Sequence, residues 1–345
     1  MAFGPVIDVD ELGSKELKQM QFHGRAGEYS KAAAVAGQAA MAAKTRDNAE
    51  LLRPLHPAEA PPEPAPPPRA AAPPPISARQ VRGCLRSFKL GSSGGLSLLT
   101  PQHIKNACSG PGSTTEASLT AALAVIVAGA VPEADQPYMC GARLVGLVKR
   151  DLSLRPVAAG DVLRRMAGRL ISKAVGKDAR AYLLARSQVG VAVEGGADAA
   201  IAACRDTART LPPGHVIAKL DQRNAFNSVW RSCILPEVAA AFPAAYPYAR
   251  LAYGRHTWLY FGAHRILSQS GVQQGCPLGP LFFSLVMAAA RAEARATLSE
   301  EDLRAITFEA WFLDDGTVAG PAAVVARYVE ALETACAARG LSYNR

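Results

Sequence analysis

Three aspartates sit where the chain could assemble metal-dependent phosphoryl chemistry. Asp221 closes the apolar run HVIAKLD (215–221), while Asp314 and Asp315 lie between a second run, ITFEAWFL, and a short return, TVAG. The first run reads as a buried strand ending on its acid, and the second as a hairpin with DDG as its tight turn. If the strands are neighbours, the three carboxylates converge. Such carboxylates offer the hard oxygen ligands that Mg²⁺ takes, with room left in its octahedral shell for water and substrate phosphates. Two ions roughly 3.5–4 Å apart can activate an attacking hydroxyl and steady a leaving phosphate group. The protein's own share in that chemistry is mainly the placement of charge. Taken singly the elements are ordinary: Asp-Gly is a common hairpin turn, and a lone Asp is a common cap.

The elements that must position these acids are legible around them. After Asp221 comes a turn-to-helix segment, QRNAFNSVWRSCIL, and then RHTWLYFGAHRILSQ, whose β-branched and aromatic residues on both sides of Gly262 predict a hairpin. The loop SGVQQGCPLGP feeds a strong helix, LFFSLVMAAARAEARATL, and a last helix, PAAVVARYVEALETACAARG, should stop at Gly340. Upstream, SSGGLSLLTPQHIK predicts a loop running into a helix with Thr100 as N-cap and Pro101 in its first turn. ARLVGLVKR reads as a short strand ending in Lys149 and Arg150. Asp161 can cap an amphipathic helix with Val162, Met166, Leu170 and Ile171 on one face and Arg164, Arg165, Arg169 and Lys173 elsewhere. A basic face of this kind is usually solvated, but beside a cleft it can grip phosphates. The order strand, helix, hairpin-like strands, helix predicts an α+β layer with helices on one face of an antiparallel sheet.

At 345 residues, with 49% hydrophobic residues, the chain can build a real core, and its formal charge of +9 suits a polyanionic partner such as nucleic acid. Seven scattered cysteines form neither a CxxC pair nor a zinc-spaced cluster, which reads as reduced thiols in an intracellular protein. The N-terminus lacks the pattern of a signal peptide, and the longest apolar stretch, 117–131, falls short of the ~18 residues of a spanning helix, so a buried helix and no membrane association are expected. Residues 1–53 form an N-terminal segment of unreadable role with an alanine-rich run. Residues 54–75 are proline-rich and read as a linker.

KLDQRNAFNSV (219–229), SGVQQGCPLGPLFFSL (270–285) and WFLDDG (311–316) resemble, in order and spacing, motifs A, B and C of reverse transcriptases. LVGLVKRDLSLRPVAAGDVLRRMAGRLISK resembles the fingers segment before motif A, and ARSQVGVAVEGGADAAIAACRD the stretch that connects them. The likeness covers roughly residues 85 to 345 and has the tone of non-LTR (LINE-like) retrotransposon enzymes, with group II intron enzymes as near relatives. It implies a right-hand polymerase with fingers-like residues 76–213 and a palm at 214–345, acting as an RNA-directed DNA polymerase on a primed RNA or DNA template with dNTPs.

Carried over by position, the resemblance makes Asp221, Asp314 and Asp315 the catalytic ligands of two Mg²⁺ ions, with Mn²⁺ as an alternative and the backbone carbonyl of Gln222 as a further ligand. Phe226 falls at the steric gate, where an aromatic ring under the sugar rejects a ribose 2′-OH. Gln274 and Gly275 fall in the loop against the incoming nucleotide and template base, and Lys149 and Arg155 at fingers positions that contact the triphosphate. The chain reaches GLSYNR where motif D begins, so the motif D lysine, a primer-gripping hairpin and a thumb are expected to be missing. A catalytically inactive nucleic-acid-binding fragment or relic therefore stands as the alternative.

Overall fold

The strands expected around the three aspartates pair with one another. The computed structural model describes residues 41–62, 72–89, 91–109, 114–149 and 151–344. Among them β1 (Ala142–Val148), β2 (Leu154–Gly160), β3 (His215–Leu220), β4 (Thr257–Phe261), β5 (His264–Ser268), β6 (Phe308–Phe312) and β7 (Asp315–Pro321) form two sheets. The first runs β3-β7-β6 and is antiparallel throughout. The second runs β2-β1-β4-β5, two antiparallel hairpins joined by a short parallel contact between β1 and β4. Helices back the antiparallel sheet, so the fold is α+β as the order of elements predicts.

Two details of the first sheet depart from expectation. β3 is only partly buried, because it lies at the sheet edge and pairs on one side alone. The hairpin turn is Leu313–Asp314 rather than Asp-Asp-Gly, since Phe312 pairs with Asp315 and Trp311 with Gly316. Asp315 and Gly316 thus already belong to β7. The indole of Trp311, fully buried, lies over Gly316, where an added Cβ would come within 2.5 Å of the ring. Glycine here serves close packing rather than turn geometry.

Helices Gly279–Ala296 and Ala322–Ala337 pack against each other, and the second of them also against β3 and β7. Their buried faces, including Leu281, Phe282, Phe283, Val286, Tyr328 and Leu332, join the main core. That core also takes Leu119, Leu123, Ile126 and Val127 from helix Thr115–Val127, the stretch read as buried. Thr100 caps helix Pro101–Cys108 in a reciprocal capping box with His103. Asp161 caps helix Val162–Leu184 by accepting from the Leu163 N–H.

On that helix the basic face needs correction. Arg164 is buried, donating to the Cys140 carbonyl at 2.8 Å and to Gln273 Oε1 at 2.7 Å. Arg165 and Arg169 lie over the Phe88 ring. Three of the four cations are therefore committed to packing the protein.

Most of the N-terminal segment, including most of its alanine-rich run, lies outside the described residues. Its last turns, helix Arg46–Leu52, set Ala49 and Leu52 into a second core made by Leu144, Leu154, Leu259, Phe261 and Ile266 of the four-stranded sheet. The proline-rich tract is described at 54–62 and 72–75, and its first residues are held against the body. Leu55 O accepts from Asn224 Nδ2 at 2.9 Å, and Pro57 O from Ser270 Oγ at 2.8 Å. Glu59 caps helix Arg231–Ala241, accepting from the N–H groups of Arg231 and Ser232 at 2.7 and 2.9 Å. Over this stretch the tract is more than a spacer.

Beneath the β6–β7 hairpin a buried carboxylate ties the sheet to both helices. Glu309 accepts from Trp311 Nε1 (2.9 Å), Tyr328 OH (2.7 Å) and Arg291 Nε (2.8 Å) through one oxygen, and from Arg295 (2.9 Å) through the other. Burial alone would raise its pKa, but Arg291 and the hydrogen bonds outweigh it and hold the carboxyl below its ordinary value. A depressed acid stabilises the fold above its unfolded pKa of about 4.5, and that stability is lost as pH falls through the folded value. Glu309→Ala leaves Arg291 buried without its partner and should cost about 3–5 kcal/mol in urea unfolding. It should also flatten the decline of stability below about pH 4.5, leaving the slope at higher pH unchanged. A loss under 1 kcal/mol (about fivefold in the folding constant) would show that the network contributes little.

Candidate active site

Pairing of β3 with β7 brings the three acids together. Leu220 faces Gly316, so the next step of the register sets Asp221 opposite Asp315, with Asp314 beside it in the turn. Asp221 and Asp315 are exposed and Asp314 is half-buried. Burial raises the Asp314 carboxyl above its ordinary value, and the charges of Asp315 and Asp221 add to that. Its own N–H and Arg155 pull the other way without cancelling it. Three like charges are thus held within reach of one another, with one cation close enough to be felt.

Asp221 is also fixed from the far end of the described chain. Asn344 Nδ2 donates to Asp221 Oδ2 at 2.8 Å, and the Asn344 N–H to the Asp221 carbonyl at 2.9 Å. Gln222, next along, bridges to Tyr343, and its buried side chain contacts Met287 Sδ and Tyr343 OH. Turned inward in this way, Gln222 has only its backbone to offer the acids.

The segment after Asp221 is stitched to the loop 270–280. Val272 N–H donates to Phe226 O and Gly271 N–H to Val229 O, both at 2.7 Å, and the Ser270 hydroxyl, with one proton for two carbonyls, lies 2.8 Å from Asn227 O as well as from Pro57 O. Phe226, half-buried, stacks on Phe283 with ring centroids 4.8 Å apart. Gln274 O accepts from the Ala158 N–H at 3.0 Å, which lays the loop along β2, the strand that also carries Arg155. Gly275 makes this approach possible: its φ is +120°, and an added Cβ would meet the Ala158 carbonyl at 2.6 Å. Arg155 is exposed on β2, and its charge acts on Asp314. Lys149 stands farther off at the β1–β2 turn, where the charge it influences is Asp151.

The sequence matches the family described as reverse transcriptase (RNA-dependent DNA polymerase) over residues 148–345, more than half of the chain. The chain belongs to the reverse transcriptase family. No curated protein sequence matches it. Similar solved structures include the telomerase of Candida albicans in complex with a TWJ fragment of telomeric RNA, at 14% identity and a TM-score of 0.45, covering 62% of this chain and 42% of that one. Another is apo telomerase from Candida tropicalis truncated from the C-terminal domain, at 12% identity and 0.44, covering 60% and 49%. This reverse transcriptase chain spans less than half the length of either telomerase chain.

Among the described residues no three His, Cys, Asp or Glu side chains form a ready-made ion cage. The donor chemistry of the three acids nevertheless fits Mg²⁺. All three are carboxylates, and burial first, then Asp315 and Asp221, makes a charge on Asp314 costly. Mg²⁺ is ordinarily bound by one or two carboxylates plus waters and substrate phosphates. No helix among the described residues is long and apolar enough to cross a membrane, and all seven cysteines are free thiols.

The structure adds residues that sequence reading passed over. Arg231, fully buried, holds the start of the loop by donating to Gly271 O at 3.0 Å, Ser268 O at 3.0 Å, Ser268 Oγ at 2.7 Å and Arg255 O at 3.1 Å. Gln273 accepts from Arg164 and donates to Cys140 O at 3.0 Å. Nothing in the local pattern distinguishes Arg231 from a surface cation. Gln273 sits beside Gln274 in a doublet, which signals a polar loop without saying which glutamine turns inward.

Proposed function

We propose that the chain is an RNA-directed DNA polymerase of a retroelement, of the non-LTR type, adding deoxynucleotides from dNTPs to a primer 3′-OH on a nucleic-acid template. The observation that carries the reading is the β3–β7 pairing, which ends with Leu220 opposite Gly316 and so brings Asp221 up to Asp315 and to a half-buried Asp314 whose carboxyl feels the charge of Arg155. Family membership supplies the reaction class, and the wording of motifs A, B and C supports the element type.

In this reading Asp221, Asp314 and Asp315, with the Gln222 carbonyl, hold two Mg²⁺ or Mn²⁺ ions. When bound, these ions supply the positive charge that eases loss of the hydroxyl proton and steadies departing pyrophosphate. The chain's own residues orient and select. Arg155, and farther out Lys149, steady the triphosphate, for which a guanidinium offers paired donors. Phe226 lies under the sugar, and Gln274 and Gly275 bear on the nucleotide and template base. Residues 76–213 act as fingers and 214–345 as palm, preceded by the 1–53 segment and the 54–75 tract. The net charge of +9 favours the template backbone.

Primer extension by the full chain on RNA and DNA templates, with dNTPs or rNTPs and Mg²⁺, tests this. DNA synthesis on an RNA template is expected. Extension with rNTPs alone would mark an RNA polymerase, and template binding without extension in any combination would mark a binding protein; either overturns the proposal.

A further inference from the structure

We infer that Gln188 is a positioning residue for the turn that carries Asp314 and Asp315, a role that rests on the polymerase reading above. The turn needs outside support. In a two-residue hairpin whose first residue has positive φ and whose second does not, glycine is the preferred first residue. Here that residue is Leu313, at φ +58°, a region in which its Cβ crowds the backbone. Neither turn residue is the Asn or Gly that would adopt the conformation unaided.

Gln188 supplies what the turn lacks. Its side chain is 1% exposed and meets Leu313 on both backbone groups: Oε1 accepts from the Leu313 N–H at 2.8 Å, and Nε2 donates to the Leu313 carbonyl at 3.1 Å. The same Oε1 accepts from the Gly190 N–H at 3.0 Å, which fixes the amide against its own loop. Backbone bonds align the two segments, with Val189 N–H donating to Trp311 O and Trp311 N–H to Ser187 O, each at 2.8 Å. Gly190 lets them approach, since a Cβ there would meet Leu313 N at 2.7 Å. A primary amide can both donate and accept in this two-point grip. The carbonyl that Nε2 holds belongs to the peptide bond leading into Asp314, so the grip sets the direction in which that carboxylate leaves the sheet. The side-chain bonds of Gln188 go to the backbone of Leu313 and Gly190, so it acts on the carboxylates through Leu313.

Three measurements on the full chain test the inference. In Gln188→Ala, hydrogen exchange in a peptide spanning 311–316 should quicken about tenfold or more, while peptides from helix Ala322–Ala337 keep their protection. Mn²⁺ affinity should fall about tenfold, and kcat for primer extension about 10–100-fold with the dNTP KM within about twofold, because displacement of a reacting group is felt in the chemical step. Leu313→Gly added to Gln188→Ala should recover much of the Mn²⁺ affinity and kcat, because glycine takes positive φ freely. Unchanged exchange over 311–316, or a double variant no better than Gln188→Ala, would overturn the positioning role. Asp314→Asn separates this from the underlying reading. Loss of Mn²⁺ binding in Asp314→Asn but not in Gln188→Ala removes the positioning role alone, whereas Mn²⁺ binding retained in Asp314→Asn removes the metal-ligand reading on which it rests.

Discussion

With asparagine at position 314, primer extension should fall by about 10³-fold or more while template binding stays within about twofold. The amide keeps the shape of the carboxylate and removes its charge, so what disappears is stabilisation worth several kcal/mol, at about tenfold in rate for each 1.4 kcal/mol. The fold should not suffer. Burial first, then Asp315 and Asp221, raise the Asp314 carboxyl in the folded protein. A carboxyl whose folded pKa lies above its unfolded value opposes folding once the pH exceeds that unfolded value, and the opposition is fully present at neutral pH. Relieving it should leave the Tm of Asp314→Asn at or above that of the parent, with the difference vanishing below about pH 4. Activity lost together with stability gained is the pattern of a strained functional site. Extension at the parental rate would sink the metal-ligand assignment.

Phe226→Val should admit ribonucleotides. If the ring lies under the sugar of the incoming nucleotide, its removal relieves a clash with the 2′-OH and should raise the rNTP/dNTP ratio of kcat/KM by about 10–100-fold, the range that a few atoms in a pocket can control. The structure adds a stability effect to this. Phe226 stacks on Phe283 at 4.8 Å between centroids, so the valine forfeits an aromatic pair worth about 0.5–1.5 kcal/mol beyond the lost area. A modest fall in Tm should accompany the change in selectivity. A fall in Tm with the ratio unmoved would identify Phe226 as a core aromatic and nothing more. The backbone at this position has a separate duty, since its carbonyl holds Val272 and with it the start of the 270–280 loop. Valine preserves that bond.

Asp221, Asp314 and Asp315 stand out as candidates in the chain itself, because strand and turn signals are local, whereas Phe226 is named only through the resemblance of its motif. Strand pattern, turn residues and cap residues act over a few positions, so Thr100 and Asp161 could be named as caps and Gly262 as the centre of a hairpin before any fold was known. The motifs around Asp221, Gln274 and Asp314 likewise lie within short runs.

What the sequence by itself determined was therefore the candidates and their immediate elements; how they meet was decided by tertiary structure. Pairing of β3 with β7 joins segments far apart in the chain, and no local pattern states that Leu220 faces Gly316. The turn moved to Leu313–Asp314 because Trp311 must lie over Gly316 and because Gln188 holds a leucine at positive φ, overriding the preference of Asp-Gly for the turn itself. Arg164 and Arg231 went into the core because backbone carbonyls and neutral side chains were waiting there to satisfy them, something a residue's type cannot foretell. Helix Arg46–Leu52 contributes only two fully buried side chains, too few to anchor a core alone, yet they complete one because the four-stranded sheet leaves an apolar face for them. Burial and hydrogen bonding depend on what the rest of the chain brings to a place, and that information is spread over the whole sequence rather than written at any one residue.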